Sequence, residues 1–273
     1  MVKPHLYQER IQMNHKISKR GINSYQLKCL GILFMTLDHI GSYLITDIGS
    51  NLFRTIGRIA APLFLYVAVN SARHTRNKLK YALRLYAAHV LICIFTLFLT
   101  TYLEELFGEH DQFSILLVFI YMILIVWILE ECSKPLFIVL AVGMLILPSV
   151  LLPLSGPFSV ICHIFLPDVL SVPYSPFFVM MGICWYFAKS RQQQMFILIV
   201  FSCLALIGAQ IFSRLGFWLF TGFFHASQFW MILFLPLIHL YNGQQGKPIK
   251  KFFYIYYPLH IYVLMLLGQW ISI

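Results

Sequence analysis

An aspartate and a histidine stand side by side, Asp38 and His39, inside the apolar run LKCLGILFMTLDHIG at 27 to 41. Ionisable side chains are costly in lipid unless they face the interior of a bundle and find a partner, so each is a candidate for chemistry. A neutral imidazole accepts a proton near physiological pH, and a neighbouring carboxylate can orient it or pair with a cation. Arg54 and Arg58 open the next apolar run at i, i+4 spacing, on one face with Pro62. The connection at 47 to 52 is short, which predicts adjacent antiparallel helices and an easy pairing of Asp38 with an arginine. Tyr256, Tyr257 and His260 enter in the last apolar run, after Lys250 and Lys251. At helical rise His260 lies roughly 12 Å in, within about a turn of the level of His39. Two histidines, a carboxylate and two arginines are thus expected to converge in the middle and outer half of a bundle. Each also has a plain structural reading: arginines that snorkel to headgroups, an aspartate that is a counter-ion, a histidine bonded to a backbone carbonyl.

Lys28 precedes His39 by close to three helical turns, so the two share a face about 16 Å apart. A second basic group, Arg73, His74, Arg76, Lys78, Lys80 and Arg84, lies between two apolar runs. It suffices as an orientation signal, and its functional reading is a phosphate-binding edge for a nucleotide-bearing donor.

The elements that must position these groups are membrane helices. The chain has 273 residues, 60% hydrophobic and 11% charged, with a mean hydropathy of +0.78, far more apolar than a soluble domain. Runs able to cross the bilayer are expected at 27 to 46, 53 to 72, 79 to 101, 112 to 129, 135 to 152, 173 to 188, 195 to 213, 225 to 241 and 252 to 271. The expected fold is therefore an all-α polytopic bundle of about nine transmembrane helices, with a basic tail at 1 to 26 and the bundle at 27 to 273. Two apolar pieces, 158 to 166 and 216 to 224, are too short to span and are expected to be re-entrant or interfacial. All of the 20 basic residues except Arg54, Arg58 and Arg214 fall on one side of this arrangement, which predicts a cytoplasmic N-terminus and a multi-pass protein of the plasma membrane. Because the net charge of +10 sits in short loops rather than on one soluble face, nucleic acid is not an expected partner. The six cysteines show no metal-type spacing, so neither metal nor disulfides are expected. The first apolar run lacks a small-residue cleavage site and reads as a retained helix.

The segment at 27 to 41, together with FRTIGRIAAPLFLY at 53 to 66, HTRNKLKYALRL at 74 to 85, LYNGQQG at 240 to 246 and FFYIYYPLHIYVL at 252 to 264, resembles the TraX family. That family is F-pilin acetylase-like and belongs with the transmembrane acyltransferases. The resemblance implies transfer of an acyl group, usually acetyl, from acyl-coenzyme A in the cytoplasm to an acceptor reached from the membrane or the outside. Such an acceptor is a pilin-like protein, a glycan or a lipid, acylated on an amine or hydroxyl. The resemblance also implies that Lys28 stands where a basic residue, commonly arginine, precedes an essential histidine, His39. The expected roles are His39 as base, Asp38 as its orienter or the arginine partner, and Arg58 with Arg54 as acceptor or oxyanion groups. His260 and Tyr257 would shape the site, and Lys28, Arg76, Lys80 and Arg84 would hold the donor. The stretch from 105 to 225 matches no motif and is expected to carry acceptor specificity. The rival class is a transporter or ion-coupled carrier using Asp38, His39 and Arg58, weakened by the lack of an inverted repeat. A structural partner of a secretion apparatus is a third class.

Overall fold

The run that carries Asp38 and His39 forms α1, Ser24–Tyr43. Asn23 caps it: its side chain accepts from the Gln26 amide and the Gln26 side chain accepts from the Asn23 amide, closing a capping box. The computed structural model describes residues 21–45, 48–102, 114–131, 172–215, 226–247 and 250–272, with isolated residues between 134 and 165. The basic tail at 1–20, most of the expected span at 135–152 and nearly all of the short apolar pieces at 158–166 and 216–224 lie outside the described residues.

The expected span at 53 to 72 lies within Gly49–His74, and a turn at 58–59 divides it into α2 (Ile48–Gly57) and α3 (Ala60–His74). Pro62 explains the break, because it has no amide proton for the carbonyl four residues earlier, that of Arg58. The turn just before is retained, with the Arg58 amide donating to the Arg54 carbonyl at 3.2 Å. Both helices pack on α1, and glycines permit the approach. A Cβ on Gly31 would come within 2.8 Å of Leu63 and Phe64, and one on Gly57 would lie 2.3 Å from the Asp38 Cβ.

Next come α4 (Lys78–Tyr102), α5 (Leu116–Glu131), α6 (Ser175–Phe187) and α7 (Arg191–Leu215). A 3-10 helix (Ala226–Phe234) leads into the short α8 (Leu235–Leu240), and α9 (Lys250–Ser272) closes the chain. The expected run at 225 to 241 is thus tighter in its first part than an α-helix, whose pattern the apolar composition alone does not distinguish. Helix α5 is apolar all round and sits at the centre: Leu116 to Ile123 are buried to a residue, against α3, α4 and α6. Helix α4 buries Ala82, Leu85, His89, Cys93 and Thr96 at helical spacing and turns Leu83, Leu91, Ile94 and Phe98 outward.

Outward-facing leucine, isoleucine and phenylalanine over whole helix faces are the surface of a protein solvated by lipid. Gly49–His74, Lys78–Tyr102 and Arg191–Ile211 are long and apolar enough to cross a membrane, and Pro176–Phe187, Ser227–Leu240 and Ile255–Ile271 are shorter apolar helices. Among the described residues no strand forms; a single parallel bridge joins Ile22 to Tyr241.

Candidate active site

His39 and His260 meet. Their rings stand edge to face with centroids 4.9 Å apart, bringing together residues from the first and last described helices. Each Nδ1 lies close to the carbonyl one turn earlier, His39 to Met35 at 2.7 Å and His260 to Tyr256 at 2.8 Å. A carbonyl oxygen only accepts, so Nδ1 is the donor in both rings, and a neutral ring then keeps Nε2 as a proton acceptor. The His260 Nε2 is buried and has no hydrogen-bond partner. Tyr256 stacks on His260 at 5.0 Å, and its hydroxyl bonds the Thr36 hydroxyl at 2.7 Å, tying α9 to α1. Tyr257 is turned toward α5: its hydroxyl accepts from the Ile115 amide at 3.3 Å while its ring stays 6.3 Å from His260.

Asp38 and Arg58 face one another at 3.9 Å, a loose ion pair rather than a hydrogen bond. Both side chains are largely sheltered, at 19% and 15% exposure, and the Asp38 Oδ1 and Arg58 Nε have no hydrogen-bond partner. Buried polar atoms are normally satisfied, so this pair holds unused bonding capacity. Arg54 is exposed, one turn earlier in the chain and inside α2, so the two arginines differ in depth.

The second feature is a cavity of about 350 Å³ at the end of the molecule where α1, α4 and α9 begin and α3 finishes. Lys28, His74, Arg84 and Lys247 line it together with the polar groups of Ser24, Asn70, Ser71, Thr75 and Gln245. Its apolar floor includes Phe64, Leu116, Phe119 and Phe253. Neither histidine lines it; Phe253 of its floor stacks on Tyr257 at 6.2 Å. Of the four cations expected to hold a donor, Lys28 and Arg84 reach this cavity; Arg76 and Lys80 do not line it. The reason is position along the chain: Tyr81, Arg84 and Leu85 of α4 line the cavity, whereas Lys80 stands one turn nearer the start of the helix and Arg76 precedes it. His74 and Lys247 are additions. Nothing in the sequence tied Lys247 to this cavity.

Other cations at the same end close helices. Arg73 donates to the carbonyls of Trp185, Tyr186 and Ala188, the last turn of α6 and its cap, where a cation also meets the negative end of the helix dipole. Arg191 does the same for α8 through the carbonyls of His239 and Tyr241, at 2.8 and 2.7 Å. Lys78 and Glu130 form an ion pair at 2.6 Å that also takes the Tyr186 hydroxyl at 2.7 Å. These bonds and the cavity set the starts of α1, α4, α7 and α9 and the finishes of α3, α5, α6 and α8 at one end of the bundle. His89 is buried and bonded to the Ser114 hydroxyl at 2.9 Å, a packed histidine away from the pair.

A family model described as TraX protein matches residues 23–268, from the α1 cap to the last turns of α9. The chain belongs to the TraX family. No curated protein and no solved structure matches it. The TraX match spans every feature just described: the histidine pair, the Asp38 and Arg58 pair, and the basic cavity with Lys247. It places the chain, with its apolar helices, among membrane proteins.

Proposed function

We propose that this TraX-family protein is a membrane-embedded acyltransferase that moves an acetyl group from acetyl-coenzyme A to an amine or hydroxyl of a membrane or extracytoplasmic acceptor. F-pilin acetylation is the activity linked to the family, and a pilin-like protein, a glycan or a lipid fits that acceptor class. The observation that carries the reading is the order of groups along α1: Lys28 in a cationic cavity at the basic end and, further along, His39 paired with His260, whose buried Nε2 has no hydrogen-bond partner. The basic end would face the cytoplasm, where the donor is made, in a plasma-membrane bundle of about nine spans with a cytoplasmic N-terminus.

The donor's phosphates would sit among Lys28 and Arg84, with the acyl arm extending past Phe64 and Phe253 toward His39. His39, held in one tautomer by Met35, takes the proton from the acceptor as its nitrogen or oxygen attacks the thioester carbonyl carbon. The carbon–sulfur bond breaks, and the coenzyme A thiolate takes that proton back, so no net proton is gained. His260, with Tyr256 stacked behind it, closes the other side and offers a second acceptor atom. Asp38 and Arg58 supply a charged pair whose unused bonds can orient the acceptor or meet the oxyanion.

Purified protein in nanodiscs, given acetyl-coenzyme A and a candidate acceptor, should release free coenzyme A and lose that activity on His39→Ala. No thioester consumption with any acceptor class, alongside proton- or ion-coupled uptake in vesicles, would instead favour a carrier built on Asp38, His39 and Arg58.

A further inference from the structure

One residue is held in a strained conformation beside the Asp38 and Arg58 pair and has no part in the chemistry so far. Tyr174 has φ 63° and ψ 14°, the left-handed region, and is the one residue other than glycine among those described with a positive φ. A side chain as bulky as tyrosine is rare there, and the surrounding structure must offset the cost. The turn is stiff: Pro173 precedes Tyr174 and Pro176 stands in the first turn of α6, each with φ fixed by its own ring. The phenol ring packs on that of the fully buried Phe178, with centroids 5.2 Å apart, so the side chain is held as well as the backbone.

The register of α6 against α3 sets the level at which this ring stands. A Cβ on Gly182 would lie 2.9 Å from the Leu65 side chain, and both helices finish at the basic end, where Arg73 of α3 bonds the last carbonyls of α6. The two helices therefore run the same way. Seven residues back from that contact, roughly 10 Å at helical rise, lies Arg58 on one strand of chain and Ser175 on the other. Tyr174 thus stands level with the ion pair, and the charges of Arg58 and Asp38 are within electrostatic reach of its hydroxyl, as the Tyr257 hydroxyl is. Among the described residues the Tyr174 hydroxyl makes no hydrogen bond. With the Asp38 Oδ1 and the Arg58 Nε, it is the third polar group at this level whose bonding capacity is unused.

A phenol O–H and a guanidinium N–H are both donors, and two donors fixed at one level suit an oxygen that gains negative charge during a reaction. Resting on the acyltransferase reading, we infer that Tyr174 is a catalytic residue whose hydroxyl, beside Arg58, donates to the thioester carbonyl oxygen as the acceptor attacks. When the acceptor's nitrogen or oxygen bonds the carbonyl carbon, the carbonyl π pair moves onto that oxygen, and Tyr174 and Arg58 share the charge. The pair returns as the carbon–sulfur bond breaks, so Tyr174 keeps its proton throughout. Asp38 holds the guanidinium at this level and makes no contact with the oxyanion. Tyr174 lies in the stretch from 105 to 225 that matched no sequence motif, and its role there is in the transfer step rather than in the choice of acceptor.

Tyr174→Phe keeps the ring against Phe178 and removes only the hydroxyl. In nanodiscs, kcat for coenzyme A release from acetyl-coenzyme A should fall about 10²- to 10³-fold, with the KM for acetyl-coenzyme A and the unfolding temperature little changed. With 3-fluorotyrosine at position 174, a phenol of nearly the same size and a more acidic proton, kcat should stay within about threefold of the unmodified protein. A kcat for Tyr174→Phe within that same range, a loss that the fluorinated phenol shares in full, or a loss that tracks a lowered unfolding temperature would overturn the role. Absence of acetyl transfer by the unmodified protein removes the acyltransferase reading and this role with it; transfer that survives Tyr174→Phe removes the role alone.

Discussion

Charged groups at the basic end and charged groups inside the bundle meet opposite fates in this molecule. Arg73 spends its guanidinium on three carbonyls at the end of α6, and Arg191 spends its own on two at the end of α8. Asp38, Arg58 and His260 each keep a buried polar atom with no hydrogen-bond partner. Burial makes an unmet bond expensive, so the incomplete set is the one the fold maintains at a cost. Arginine at a saturated helix end builds structure, whereas arginine beside an unsatisfied carboxylate is available to a ligand. Residue type alone does not separate the two; the count of met bonds does.

The sharpest test of this contrast is His39→Ala. General base catalysis contributes ~10² to 10⁴ in rate, so turnover should fall by that order while donor affinity, measured by titration, changes little. Near-normal transfer in a correctly inserted variant would move the base to His260, whose ring is 4.9 Å away.

Asp38→Asn should act on stability as well as on rate. Removing one member of a fully buried pair costs ~3 to 5 kcal/mol, and the residual exposure here reduces that to about 1 to 3. Thermal unfolding in detergent should show the loss, and adding Arg58→Gln should recover part of it, because the unpaired cation is then gone. No recovery in the double variant would mean the two side chains do not couple.

At the saturated end the prediction reverses. Arg73→Gln should lower stability by about 1.5 to 3 kcal/mol, since charge-assisted bonds to several carbonyls are lost together, yet leave donor affinity within about threefold. A large loss of donor affinity with unchanged unfolding would make Arg73 a ligand-binding group and erase the contrast. The smallest effect belongs to Arg76→Gln with Lys80→Gln. Both side chains are exposed and outside the cavity, so stability should move by less than ~0.5 kcal/mol and donor affinity hardly at all.

The all-helical, lipid-facing character was legible in the apolar runs, because period and composition report burial directly. The meeting of Asp38 with Arg58 was legible too, since a short connection forces the two helices together. The convergence of His39 and His260 followed from depth along two helices, a quantity that rise per residue supplies. What escaped were features that depend on neighbours distant in the chain. Lys247 lines the cavity because its loop is pinned to Ile22 and Ser24, and no local pattern encodes that pinning. The break between α2 and α3 was visible in Pro62 but was absorbed into a single apolar run, since hydropathy does not register a lost amide. Arg76 and Lys80 were grouped with Arg84 by charge, although only Arg84, one turn further into α4 than Lys80, lines the cavity.

The bond between Ser24 and Tyr241 crosses 217 positions of sequence, and that between Thr36 and Tyr256 crosses 220. In a chain made from its N-terminus, Lys28 and His39 emerge among the first helical residues, and Lys247 and His260 among the last. Neither the cavity nor the histidine pair exists in a half-made chain, even with most helices already inserted. Both features therefore form only once the segment from Tyr241 to His260 has packed against the first helix, and a chain cut before that segment would hold neither.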